Sequence, residues 1–136
     1  MELPTTLLRH DAPPDGTPPH YDWLVLDPLA RRDSGLGLWT VRAAAHWRDW
    51  AALGRVELTP LPRHRRRYLS WEGQLTGQRG WVRRAGTGRV TAELWTPGRI
   101  ELILHPNSPS HATTRPLALS LRPVGSAWHA LVRKKP

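Results

Sequence analysis

Residues 9–27, RHDAPPDGTPPHYDWLVLD, hold the side chains best suited to chemistry. His20 and Asp22 are two apart in a stretch that reads as a β-strand, so both leave the same face. Tyr21, Trp23 and Val25 then leave the opposite face, which has the character of a core. An imidazole beside a carboxylate suits a divalent ion such as Mn²⁺, Fe²⁺ or Zn²⁺. His10 ends the preceding strand, and the Pro-rich loop 11–19 would bring it back against His20 as a third ligand. Two His and one carboxylate leave coordination positions for water or a phosphate oxygen. An H-x-D triplet is also common by chance, so the spacing alone leaves this site open.

A second stretch, LPRHRRRYLSWEGQLTGQRGWVRR at 61–84, carries His64, Arg65, Arg66, Arg67 and Tyr68, then Arg79, Arg83 and Arg84. Guanidinium groups bind phosphate through charge and forked hydrogen bonds. The same run also suits a solvated basic turn. The net charge is +9, and all but Lys134 and Lys135 of the 20 basic residues are Arg. A small basic domain suggests a polyanion partner, nucleic acid first and an anionic membrane surface second, although a codon bias toward Arg would give the same excess. Other chemistry is excluded or disfavoured. With no Cys there are no disulfides, Cys-based zinc fingers, iron–sulfur clusters or thiol nucleophiles. GTG at 86–88 lacks the Lys and helix of a phosphate loop, and no Ser sits in a hydrolase elbow.

The elements that must position these residues are short. The 136 residues fit a single domain spanning 1–136. Fourteen Pro and eleven Gly argue against long helices. Alternating segments mark strands at 5–9, 21–26, 37–42, 55–59, 67–72, 80–84, 89–95, 99–105, 117–121 and 127–133. In 99–105, Ile100, Leu102 and Leu104 oppose Glu101 and Ile103; in 117–121, Leu117, Leu119 and Leu121 oppose Ala118 and Ser120. Only 43–53, AAAHWRDWAAL, reads as a helix, with Ala43, Trp47, Trp50 and Ala51 on its apolar face and Gly54 as its stop. The expected fold is mostly β, a compact antiparallel β-barrel with one or two short flanking helices. Eight Trp and no Phe make Trp the core aromatic, so Trp39, Trp71, Trp81, Trp95 and Trp128 are expected to be mostly interior, with one or two left as platforms for unpaired bases. No apolar run reaches the roughly 20 residues of a membrane helix. MELPTTLLRHD has no signal-peptide pattern, so a cytoplasmic address without membrane attachment is expected.

Taken in order, these motifs resemble the phosphoesterase domain of bacterial DNA ligase D and its stand-alone relatives. The resemblance rests on His10, HYDW at 20–23, LWTV at 38–41, HRRRY at 64–68, WEG at 71–73, RIELILH at 99–105 and AWHALVRKK at 127–135. It covers most of residues 7–135 and implies a β-barrel with manganese-dependent trimming of DNA 3′ ends, removing a 3′-ribonucleoside or 3′-phosphate. It further implies His10, His20 and Asp22 as metal ligands, His64 as hydrogen-bond donor or general acid at the phosphate, and Tyr68 as its support. Implied partners are DNA 3′ ends and a ligase or polymerase of an end-joining pathway. One departure stands out: the family carries a phosphate-gripping Arg two residues after the metal-binding Asp, where this chain has Leu24. The Arg cluster 65–67 is the expected substitute. Leu24 also motivates an alternative, a catalytically lapsed module of the same fold that binds nucleic acid or a repair protein. The remaining histidines read as structural or solvated: His46 at the surface or half-buried, His105 and His111 beside a loop, His129 in the closing strand. Glu72 reads as a turn residue, and Arg133, Lys134 and Lys135 as a frayed basic tail.

Overall fold

The computed structural model describes residues 1–11, 16, 18–30, 35, 37–69, 73–74, 81–107 and 115–133. Among the described residues nine strands follow one another: β1 (Glu2–Asp11), β2 (His20–Leu26), β3 (Leu38–Ala43), β4 (Arg55–Pro60), β5 (Gly73–Gln74), β6 (Trp81–Thr96), β7 (Arg99–Pro106), β8 (Leu117–Val124) and β9 (Ala127–Val132). All pairings are antiparallel, in the order β1-β2-β3-β4-β9-β8-β7-β6, and β6 returns to β1. Eight strands thus close a barrel, and closure leaves none of them as a free edge. The two-residue β5 flanks β6 from outside the ring.

Period-two alternation sends one set of side chains inward. Leu7, Trp23, Val25, Val41, Leu58, Ile100, Leu102, Leu104, Leu119 and Leu121 form the buried interior. Trp39, Trp95 and Trp128 pack against it. The indoles meet edge to face, Trp23 with Trp50 at 5.2 Å and Trp39 with Trp95 at 5.4 Å between ring centroids, the arrangement the aromatic quadrupole favours. The Trp23 indole N–H donates to Thr5 Oγ1 at 2.8 Å, so its one polar atom is satisfied inside the barrel.

Three expectations are corrected. The helix over 43–53 shrinks to a 3-10 turn (Trp47–Asp49) and a single α-helical turn, α1 (Trp50–Leu53). Ala43 belongs to β3, and the buried ring of His46, not the alanines, starts the turn by accepting the Arg48 N–H. Gly54 ends α1 at φ 74°, a conformation that costs glycine nothing. The strands at 80–84 and 89–95 are one, β6: the apparent break AGTG is a close approach. A Cβ on Gly86 would lie 2.5 Å from the Trp47 ring, and one on Gly88 would collide with the His105 carbonyl. The described part of 67–72 lies in a 3-10 turn (Arg66–Leu69) rather than a strand. Trp81, half-exposed on β6, is a Trp left outside the interior, as the expectation for one or two of the five allows. Trp71, Glu72, Arg79, His111, Lys134 and Lys135 lie outside the described residues. Arg133 is tied down, its N–H donating to the Ala118 carbonyl and its guanidinium to Glu93.

The chain leaves β4 beside β3 and reaches β6 beside β1, so the connection crosses the outer wall of β3, β2 and β1. There Leu8, Leu24, Leu38 and Val82 form a second, smaller apolar cluster, capped by Tyr68 and Leu69. Thr6 Oγ1 donates to the Leu69 carbonyl at 2.8 Å. His64 pairs with Leu38 through two backbone hydrogen bonds of 3.1 and 3.3 Å. This crossing carries His64 and Tyr68 onto the outer face of the wall that holds His20 and Asp22.

Candidate metal centre

His20 and Asp22 lie on β2 and point away from the barrel interior, while Trp23 and Val25 point into it. His10 sits directly opposite His20 across the β1–β2 pair. The Pro-rich connection is therefore compatible with bringing the first His back, and the two rings meet edge to face at 5.0 Å. One donor atom from each of His10, His20 and Asp22 lies within 4.8 Å of the others. His20 Nε2 and Asp22 Oδ1 are 3.5 Å apart. Two donors about 2.1 Å from a tetrahedral ion would be roughly 3.4 Å apart.

These two atoms are buried and have no hydrogen-bond partner. Leaving a buried imidazole nitrogen and a buried carboxylate oxygen unmatched costs free energy, and a cation between them would satisfy both. His20 Nδ1 lies 3.2 Å from the Pro18 carbonyl, so Nδ1 carries the proton and Nε2 turns its lone pair toward Asp22. That outer contact orients a metal-binding imidazole. Burial pushes the His20 pKa down, partly offset by the Asp22 charge, and pushes the Asp22 pKa up, offset in part by His20, His64, His10 and Arg42. The donor set fits a divalent metal of the Mn²⁺, Fe²⁺ or Zn²⁺ kind.

His64 and Tyr68 are brought together at the edge of this site, with ring centroids 5.5 Å apart. His64 is close enough for its charge to favour the Asp22 carboxylate. Its Nδ1–H donates to the Pro62 carbonyl at 2.9 Å, leaving Nε2 as the nitrogen that can exchange a proton. The Arg67 guanidinium stacks over the Tyr68 ring at 5.1 Å, and its Nη2 donates to the Tyr68 hydroxyl at 3.3 Å. Arg65, Arg66 and Arg67 are all exposed beside His64.

The expected phosphate residues on β6 divide by face. Arg84 is paired with Leu8 in the register, on the outer face with His10. Arg83 is paired with Arg9 and bonds Asp11 at 2.9 Å, so its charge is committed away from the site. Leu24 is fully buried in the small outer cluster, two residues from Asp22 on the same face.

Sequence reasoning missed Arg42. It stands directly opposite Asp22 across the β2–β3 pair and therefore on the site's face. The signal was the alternation Leu38, Thr40, Arg42, but only the β2–β3 register connects it to Asp22.

Scanned against protein-family models the chain finds no match, and a search of curated proteins finds none either. Among the described residues, no helix is long and apolar enough to cross a membrane.

Proposed function

We propose that this chain is a metal-dependent phosphoesterase that acts on DNA 3′ ends, removing a 3′-phosphate or a 3′-ribonucleoside, in cytoplasmic DNA end repair. The observation that carries the reading is the pair of buried, unpartnered donors, His20 Nε2 and Asp22 Oδ1, with His10 against them. These three residues would hold Mn²⁺, or another divalent ion such as Zn²⁺. When bound, such an ion supplies Lewis-acid polarisation of a phosphoryl oxygen and a water of lowered pKa. His64 presents Nε2 beside the site, where a protonated ring donates to the phosphate or gives its proton to the leaving oxygen. Tyr68 packs against that ring and keeps it facing the site. Arg65, Arg66, Arg67 and Arg84 meet the duplex backbone through charge, without reading sequence. A ligase or polymerase would take up the 3′-hydroxyl produced.

Leu24 favours a second reading. A fully buried Leu where the resembling family has an Arg is consistent with a module that kept the fold and lost the chemistry, binding nucleic acid or a repair protein. An end-labelled primer–template ending in a 3′-phosphate or one 3′-ribonucleotide, incubated with Mn²⁺, separates the two. Conversion to a 3′-hydroxyl by the wild type and not by Asp22→Ala is the expected result. No turnover by a wild type that still binds Mn²⁺ would favour the lapsed module.

A further inference from the structure

Among the described residues, three buried side-chain atoms on one wall of the barrel have no hydrogen-bond partner: His20 Nε2, Asp22 Oδ1 and Arg42 Nε. The first two are electron-pair donors that a cation would satisfy. The third is a charged N–H donor, which needs an acceptor. Asp22 is the nearest acidic neighbour in the register, yet neither Arg42 Nε nor Asp22 Oδ1 hydrogen-bonds to the other. A metal held by His10, His20 and Asp22 would bring further positive charge to the face that Arg42 shares. A second positive charge beside that metal would then be unfavourable unless an anion lay between them.

We propose that Arg42 is the residue that grips the oxyanion: its guanidinium would hold a phosphate oxygen beside the metal that His10, His20 and Asp22 would hold. This inference rests on the phosphoesterase reading and deepens it. It also replaces the expected role of Arg65–Arg67. Those side chains are exposed, and Arg67 is stacked on Tyr68, whereas Arg42 is half-buried and in register with the candidate ligand itself. Arg42 thereby supplies from β3 the charge that Leu24 cannot supply from β2. A guanidinium held partly out of water binds a phosphate oxygen more strongly than a solvated one, and its fork favours a two-point contact.

The test is calorimetric titration of Mn²⁺, and then of inorganic phosphate into the Mn²⁺-loaded protein, for wild type, Arg42→Gln, Arg42→Lys and, as a control on an exposed Arg of β8, Arg122→Gln. Arg42→Gln is expected to keep its Mn²⁺ affinity and to lose phosphate affinity by about tenfold or more, the scale of one charge-assisted contact. Arg42→Lys, which keeps the charge and loses the fork, should fall between it and the wild type. Arg122→Gln should match the wild type. Phosphate affinity equal to wild type in a Mn²⁺-loaded Arg42 variant would overturn the assignment of Arg42 alone. Should Arg42→Gln fail to fold, an Arg42→Lys variant with undiminished phosphate affinity would overturn it equally. A wild type that takes up neither Mn²⁺ nor phosphate would instead overturn the phosphoesterase reading itself.

Discussion

The two faces of the β1–β2–β3 wall follow opposite rules. The inner face is apolar and closed: Trp23, Val25 and Val41 are fully buried, and the one polar atom of Trp23 is matched by Thr5. The outer face a few ångströms away buries His20, Asp22 and part of Arg42, and leaves polar atoms of each unmatched. A single strand, HYDWLVL, serves both. The difference teaches that stability is invested on one side and spent on the other. A site held by a rigid barrel can carry unsatisfied donors that would be intolerable as part of the core.

That comparison can be broken or sharpened by substitutions on each face. The largest effect is expected inside. Trp23→Ala removes a fully buried indole and its hydrogen bond, and should cost about 3–5 kcal/mol in urea unfolding. A loss under about 1 kcal/mol would mean that the inner face is not the stabilising one.

An intermediate effect comes from acid. His46 Nε2–H donates to the Ala85 carbonyl at 3.0 Å, and Nδ1 accepts the Arg48 N–H at 3.1 Å. The second bond requires the neutral ring, because a protonated Nδ1 cannot accept; the first survives protonation. Burial pushes this pKa below its ordinary 6.5, so the unfolded chain takes the proton first. The stability this group contributes is therefore present above pH 6.5 and is lost as pH falls through that value toward the lowered folded one. The melting temperature should drop between pH 7 and 5.5, and the drop should shrink in His46→Gln. An undiminished slope in that variant would assign the loss to another group, such as the buried His20.

The smallest effect is expected on the outer face. Burial disfavours the Asp22 carboxylate, so metal-free Asp22→Asn at neutral pH should melt at the wild-type temperature or slightly above. A fall of several degrees would make the outer carboxylate a structural group and erase the contrast between the faces.

Much of this arrangement was legible in the residues, and the rest was not for identifiable reasons. The His20–Asp22 pair is local: period two on one strand places both on one face, and Tyr21, Trp23 and Val25, large and mostly apolar, on the other name the core. The barrel follows from many short alternating segments cut by Pro and Gly. Arg42 is not local. Its position opposite Asp22 is a property of the β2–β3 register, set across the connection at 27–37, which no spacing along the chain encodes. The AGTG of β6 read as a break because glycine has no side chain to mark a face, whereas its function is to admit the Trp47 ring. The helix over 43–53 reads from the apolar spacing of Ala43, Trp47, Trp50 and Ala51, and pairing of Ala43 with Tyr21 in the β2–β3 ladder overrides its first turn. The absence of Phe makes Trp the core aromatic but does not say which Trp stays outward; Trp81 does, opposite Asp11 at the end of the β1–β6 pairing.

The central claim is that the outer face of this wall holds a divalent ion through His10, His20 and Asp22. The most direct test is Mn²⁺ titration of the metal-free wild type and Asp22→Asn, read by calorimetry and by melting temperature. The account predicts one site in the wild type, a rise in melting temperature with metal, and affinity at least about 100-fold weaker in the variant, more than an outer-contact change would cost. Equal affinity in the two proteins, or no binding by a folded wild type, would contradict it.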